Sequence, residues 1–481
     1  MDIGLLIGDQ NVGAQGGATF DRKDPVTGET ATRAAAAKAA DAVAAADAAA
    51  AAFPAWSKVG PNARRALLNK AADILQAKAG EFGELLVKET GATKGWGGFN
   101  AFLAAGMLRE AAAMTTQITG ETIPSDKPGN LAMSIRVPAG VSLGIAPWNA
   151  PVILGVRSIA MPLACGNTVI LKASEACPAT HRLIGQVMLE AGFPAGVVNV
   201  VTNAPEDAGE VVNALIAHPA VRRVNFTGST RVGKIIAETC GRYLKPVLLE
   251  LGGKAPFIVL NDANLDDAVA GAAFSAFMHQ GQICMSAERI IVQEDIADAF
   301  IEKFRAKAAT LTAGDPREGK HILGAVVSVE AMERVVHLVQ DAASKGAKVV
   351  TGGKANGAIM DATIVDHVKP HMAIYSEESF GPSVSVIRVK DEAEAVKIAN
   401  DTEYGLSAAV YSTNINRAIS VARQIESGIC HINGPTVSDE PQMPFGGVKS
   451  SGYGRFGGTA GINEFTDLRW ITIETDQHYP I

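Results

Sequence analysis

The chain has 481 residues, 47% hydrophobic and 19% charged, with a formal net charge of −7. That length accommodates two or three domains, and the negative balance excludes the basic footprint of a protein that binds nucleic acid or an anionic membrane. No apolar run is long enough for a membrane span, and the nine histidines include no close pair with a metal-ligand pattern. Five cysteines, an odd number without framework spacing, suit a reducing compartment. Met1–Asp9 carries no basic segment ahead of a long apolar run, so no secretory leader is expected and the cytoplasm is the expected location.

Residues 1–30 read as short strands and turns, with Asp24-Pro25-Val26-Thr27-Gly28 as turn chemistry. The alanine-rich stretch from Ala34 to Ala52 predicts a helix, because alanine has the highest helix propensity, and Pro54 is expected to limit it. Residues 62–115 carry two or three further helical patterns, the first capped by Asn62. Gly91 and the cluster Gly95-Trp96-Gly97-Gly98 are expected to interrupt them. Residues 116–138, with Gly120, Pro124, Pro128 and Gly129, suit an exposed hairpin that pairs with another subunit.

From Val141 the pattern becomes strand–helix alternation. Strands are expected at Val141–Ala146, Asn167–Lys172, Val197–Val201 and Val221–Phe226, with helices near 153–164, 179–191, 207–217 and after Gly233. Such alternation predicts an α/β fold with a parallel sheet covered by helices, whose ligands bind beyond the carboxyl ends of the strands. A second α/β unit follows Gly253, with strands at Pro256–Leu260, Arg289–Val292, about 347–351 and Ser383–Ile387. Its helices are expected near 265–278, 295–311 and 328–345, and the tail Arg469–Glu474 alternates like a strand.

The chemistry centres on Phe277-Met278-His279-Gln280-Gly281-Gln282-Ile283-Cys284-Met285-Ser286. Gly281 permits a tight bend that presents the Cys284 thiol, whereas Cys165, Cys177, Cys240 and Cys430 read as small buried hydrophobes. A thiol attacks only as thiolate, so Cys284 needs a base or positive charge nearby. Leu249-Glu250-Leu251-Gly252-Gly253-Lys254 offers Glu250 at a strand end. Gly228-Ser229-Thr230-Arg231-Val232-Gly233 follows a strand and opens a helix, which suits either a phosphate at a helix N-terminus or a plain capped turn. Glu175 closes another strand, where a carboxylate holds a ribose diol and disfavours a 2′-phosphate, or else is a surface residue. Together, Asn149, Glu250 and Cys284 compose one reaction. The thiolate attacks a carbonyl carbon, the Asn149 amide and the Cys284 N–H stabilise the oxyanion, hydride leaves to a nicotinamide, and Glu250 activates water to release the acid.

At these residues the chain resembles the aldehyde dehydrogenase superfamily. The matching stretches are Pro147-Trp148-Asn149, Phe226-Thr227-Gly228-Ser229, Leu249–Lys254, Gly281–Cys284, Glu377–Pro382, Pro444–Gly447 and Ser451-Gly452, in order along essentially the whole chain. The resemblance implies a Rossmann-type NAD-binding domain from 1–116 and 139–251, a catalytic domain from 252–445 and a return segment from 446–465. It implies an oligomerisation element from 117–138 and 466–481, hence a homodimer or homotetramer. It makes Cys284 the nucleophile, Glu250 the general base and Asn149 the oxyanion donor. It assigns NAD to a cofactor site that includes Ile145, Pro147, Trp148, Gly228 and Gly252, with Lys172 and Glu175 on the adenosine ribose and Ser229 on the pyrophosphate. Glu378 would hold the nicotinamide ribose and Phe380 would pack near its ring. Lys172 and Ser174 leave some use of NADP open.

The departures bear on the aldehyde. Relatives acting on aliphatic aldehydes often carry a bulky aromatic after the oxyanion asparagine and a tryptophan eight positions beyond it; this chain has Ala150 and Arg157. A small Ala150 widens the pocket for a ring, and Arg157 is either a donor to a phenol or ether oxygen or a structural ion-pair residue. Ile283, Met285, Trp96 and Met278 are expected as apolar walls. With Ile432-Asn433-Gly434, these residues resemble the aromatic branch that acts on vanillin and salicylaldehyde, so a small aromatic aldehyde is the expected substrate. Pro435–Met443 carries none of the matching stretches and is expected near the pocket mouth, where it bears on which ring substituents fit. A broad-range aldehyde dehydrogenase is an alternative of the same class, and two other classes remain: a cysteine esterase or thioesterase that works without nicotinamide, and a non-catalytic binding role.

Overall fold

The structure is a computed structural model and describes residues 1–475; the remaining end of the expected oligomerisation element, 476–481, lies outside the described residues. Among the described residues no helix is long and apolar enough to cross a membrane.

The continuous apolar runs become central strands buried on both faces, as a parallel sheet between helices requires. The first sheet has eight strands in the order Gly452–Tyr453, Val247–Glu250, Val221–Thr227, Val141–Ile145, Thr168–Lys172, Val198–Val201, Leu5–Ile7, Gln10–Val12. Its five central strands are parallel and its edges antiparallel. The chain steps outward from Val141–Ile145 to Val198–Val201, then returns to the other side at Val221–Thr227. That reversal opens a crevice beyond Ile145 and Thr227, where ligands of such sheets bind. Helices Pro151–Ala164, Pro178–Ala191, Ala208–Ala217 and Thr230–Arg242 cover the faces.

The second sheet has seven strands in the order Lys348–Thr351, Thr363–Asp366, Ser383–Val389, Ala287–Gln293, Ala255–Val259, Ser407–Tyr411, Ile429–Ile432, parallel except for the first. A third sheet joins Glu121–Ile123, Leu131–Pro138 and Thr466–Ile473, with register from Thr466 opposite Pro138 to Ile473 opposite Leu131. It leaves Ile123, Leu131, Leu468, Trp470 and Ile473 exposed.

Three local expectations need correction. The alanine-rich helix spans Ala39–Trp56 and carries Pro54 inside its final turn; so close to the end, the lost N–H and the ring's clash with the preceding turn break little. The next helix starts at Pro61, with Gly60 rather than Asn62 in the capping position, because proline at the first helical position costs no hydrogen bond. Gly95, Gly97 and Gly98 do not interrupt a helix but lie in the first turns of Lys94–Met114. A Cβ on Gly97 would sit 2.6 Å from the Cα of Gly83, so the glycine permits the close crossing of two helices.

Candidate active site

The loop after helix Leu265–Phe277 holds three successive residues at positive φ: His279 at 49°, Gln280 at 54° and Gly281 at 72°. Such strain persists only where surroundings enforce it. A Cβ on Gly281 would lie 2.1 Å from the carbonyl oxygen of Gly381. Gln280 Nε2 donates to Ala325 O at 2.8 Å, and Gln282 Oε1 accepts from Val327 N at 2.9 Å. This anchored bend leaves Cys284 half-buried ahead of strand Ala287–Gln293. Cys165, Cys177 and Cys240 are buried, but Cys430 is half-buried rather than packed away, since its strand Ile429–Ile432 edges the second sheet.

One cavity of about 250 Å³ brings Cys284, Glu250 and Asn149 together. Pro147, Trp148, Gly228, Ser229 and Gly252 also line it, as do Glu378 and Phe380. Three elements therefore converge: the strand ends of the first sheet, the cysteine loop, and the turn before Ser383–Val389. Asn149, which follows strand Val141–Ile145, points its amide Nδ2 at Gln282 O, 2.9 Å away, tying the two sheets together beside Cys284. Ser229 caps helix Thr230–Arg242 by accepting from Val232 N, so that helix presents its N-terminus to the cavity.

Glu250 ends strand Val247–Glu250, is 1% exposed, and neither of its carboxylate oxygens has a hydrogen-bond partner. Burial pushes its carboxyl up to about 7, against the opposing pull of the Arg157 guanidinium and the Cys284 thiol. Burial likewise pushes the Cys284 thiol up, and the neighbouring Glu250 and Glu378 carboxylates push in the same direction. Glu378, whose Oε1 accepts from Gly253 N at 2.9 Å, is raised to about 7 by burial.

Other expected site residues stand apart from this cavity. Lys172 and Glu175 pair with each other, and Glu175 also accepts from Asn203 Nδ2 at 2.9 Å. Lys172 ends the strand next to Val141–Ile145, opposite Ile145, and Glu175 follows it, on the same carboxyl edge of the sheet. Ala150, Ile283 and Met285 are buried in the apolar cluster that packs against Cys284. Trp96 and Met278 line a separate cavity of about 430 Å³, where the Trp96 ring stacks on His279 at 4.5 Å. Arg157 is not a free donor: its buried guanidinium pairs with Asp439 and lies 4.2 Å from the centroid of the Phe445 ring. The expected wall role for Trp96 and Met278 at the Cys284 cavity is thus corrected, and of the two readings of Arg157 the ion pair is the one found. The indole is turned to the Asn149 backbone, and a guanidinium in an apolar interior requires a counterion.

Sequence reasoning missed Thr227, Leu251 and Arg334 among the lining residues and Asp439 as the partner of Arg157. Arg334 sits within helix Val329–Ser344 and donates to Glu378 O; nothing in its local sequence separates it from a solvated helix-face arginine.

A model of the aldehyde dehydrogenase family matches residues 12–471. A vanillin dehydrogenase of Pseudomonas fluorescens is 59% identical over 482 aligned positions, covering 100% of both chains. A crystal structure of a salicylaldehyde dehydrogenase from Pseudomonas putida G7, complexed with salicylaldehyde, superposes with a TM-score of 0.98 at 52% identity, covering 100% of both chains. The structure of PnpE in complex with nicotinamide adenine dinucleotide superposes with a TM-score of 0.95 at 39% identity, over 100% of this chain and 99% of that one.

Proposed function

This chain belongs to the aldehyde dehydrogenase family, and we propose that it oxidises an aromatic aldehyde of the vanillin type to the carboxylic acid, using NAD. Salicylaldehyde is the alternative ring substrate, favoured by the likeness to a structure holding that aldehyde. The observation that carries the reading is the convergence of Cys284, Asn149 and the unpartnered carboxylate of Glu250 on one buried cavity. The full-length likeness to a vanillin dehydrogenase and the absence of a bulky ring at Ala150 support the aromatic substrate.

The residues of the cavity and of the carboxyl edge of the first sheet beside it fit a nicotinamide dinucleotide. A helix N-terminus at Ser229 suits a pyrophosphate, and the carboxylate of Glu175, beside Lys172, suits a ribose diol and disfavours a 2′-phosphate. Ile145 and Lys172 close neighbouring strands along the same edge. Gly228 keeps that approach low: a Cβ there would meet the Phe226 ring at 2.4 Å. Glu378 and Phe380 line the same cavity as the Cys284 thiol, where Glu378 would hold the nicotinamide ribose. When bound, the dinucleotide supplies the hydride acceptor.

The chain's own residues do the rest. Glu250, with a carboxyl held near neutrality, takes the Cys284 proton and passes it on to solvent, and the thiolate adds to the aldehyde carbon. The Asn149 amide and the Cys284 backbone N–H hold the developing oxyanion. Loss of hydride leaves an acyl thioester on Cys284, and Glu250 then takes a proton from the water that releases the acid. A carboxylate confined in an apolar site and held near pH 7 suits that second task better than an exposed one.

We assign 1–116 and 139–251 to the cofactor domain, 252–445 to the catalytic domain and 446–465 to the return segment, where Gly452–Tyr453 pairs with Leu249 and Glu250. We also place 117–138 and the segment from 466 at contacts between subunits of a homodimer or homotetramer, a reading that the exposed apolar side chains of the third sheet support. Five free cysteines suit a reducing cytoplasm.

The test is the initial rate of NADH formation with vanillin, salicylaldehyde, benzaldehyde and a short aliphatic aldehyde, with Cys284→Ala as control. Ring aldehydes leading in kcat/KM with an inactive control is the expected result. Preference for the aliphatic aldehyde overturns the aromatic assignment, and turnover of esters alone, without nicotinamide, overturns the dehydrogenase mechanism.

A further inference from the structure

We propose that Glu288 is a positioning residue for the nicotinamide half of the cofactor: its buried carboxylate holds the Glu377–Phe380 turn where Glu378 and Phe380 line the cavity of Cys284. The proposal rests on the dinucleotide reading above.

Glu288 lies on strand Ala287–Gln293, on the chain just beyond Cys284, and is 4% exposed. Its carboxylate accepts from Lys254 Nζ at 2.7 Å, Ser379 N at 3.0 Å, Ser379 Oγ at 2.6 Å and Phe380 N at 3.0 Å. Lys254, 1% exposed, also donates to Glu377 O at 2.6 Å. The pair thus grips the turn from both ends, the ammonium on the carbonyl before Glu378 and the carboxylate on the two N–H groups after it. Arg289 Nε, next along the strand, donates to Lys254 O at 3.2 Å and fixes the lysine's own backbone.

The turn needs such a grip. Phe380 stands at φ 51°, a conformation that a bulky L side chain rarely adopts unless held. Its ring meets Trp148 edge-on at 5.7 Å, and a Cβ on Gly252 would already lie 3.0 Å from Glu378 Oε2. Small displacements of the turn are therefore transmitted to the cavity wall. A buried ion pair is not in itself a stabilising device, since an apolar pair of equal volume often serves as well. An apolar pair cannot accept three hydrogen bonds from one turn, and that is the specific property of Glu288.

The test uses Glu288→Gln in the full chain, with ADP as a probe of the adenosine half and NAD as a probe of the whole site, both titrated by calorimetry. The substitution keeps the volume but sets an amide –NH2 against the donors of the turn. Expected are an unchanged ADP affinity, an NAD affinity weaker by about tenfold, the order of one charge-assisted hydrogen bond, and a parallel rise in KM for NAD with KM for the aldehyde unmoved. Ser379→Ala, which removes the Oγ contact alone, is expected to separate NAD from ADP in the same direction by about twofold to fivefold, and it carries the test where Glu288→Gln does not fold. Equal change, or no change, for the two nucleotides in these variants overturns the role of Glu288 while the wild type still binds NAD. A wild type that binds neither nucleotide overturns the dinucleotide reading and this proposal with it.

Discussion

The indole N–H of Trp96 donates to the backbone carbonyl of Asn149 at 2.9 Å, while the Asn149 side-chain amide reaches across to Gln282 O, also at 2.9 Å. A residue from the first turns of helix Lys94–Met114 thus braces the asparagine that faces Cys284. Stacking on His279 holds the indole in that orientation.

Replacing Trp96 by Phe keeps the ring stack and removes the donor. The expected effect is a fall in kcat of about threefold to tenfold, the order of one lost hydrogen bond of about 1 kcal/mol, with little change in KM for the aldehyde. Steady-state kinetics decide it. A raised KM with unchanged kcat assigns Trp96 to aldehyde contact instead.

The carboxyl of Glu250, raised from its ordinary 4.5 to about 7 chiefly by burial, links activity and stability to pH in opposite directions. In the proposed role of base it works ionised, so kcat is expected to climb as pH rises through about 7. As a buried group with a raised value it stabilises the fold when protonated; that contribution is complete below about pH 4.5 and is lost as pH rises through about 7. Glu250→Gln is therefore expected to abolish turnover yet melt about 1–3 °C higher than the wild type at pH 8, with the difference vanishing near pH 4. Glu378 titrates in the same window, so the comparison is made between proteins that retain it. A Glu250→Gln protein that melts lower at pH 8 contradicts the linkage.

Arg157 and Asp439 make a buried pair whose halves act on Glu250 with opposite sign: the guanidinium lowers its carboxyl and the carboxylate raises it. Arg157→Met is expected to move the rising limb of the kcat profile to higher pH, and Asp439→Asn to move it lower. Either single change strands a buried polar group and is expected to cost about 3–5 kcal/mol in urea unfolding, whereas Arg157→Met with Asp439→Leu recovers most of it. Shifts of the same sign in both single variants are incompatible with this arrangement.

Much of this protein was legible before folding. The alternation of apolar strands with helical stretches from Val141 onward reports local periodicity, and local periodicity is what a one-dimensional pattern carries. Glu250, Asn149 and Cys284 were legible for a related reason: each sits in a short run whose glycine, proline and polar residues have few uses besides presenting a side chain at a strand end or bend, and the combined order of those runs along the chain resembles one family. What remained hidden lies between residues far apart in sequence. Trp96 looked like a pocket wall because its partner, a backbone carbonyl at Asn149, has no signature in residue type. Arg157 could be read either as a donor or as an ion-pair residue, because its counterion is 282 residues away, in a segment with no recognisable motif. Glu288 and Ser379 are separated by 91 residues and share nothing but a place beneath one turn. Burial obliges such groups to find partners, but the sequence states only the obligation; the packing of two sheets around the Cys284 loop selects the partner.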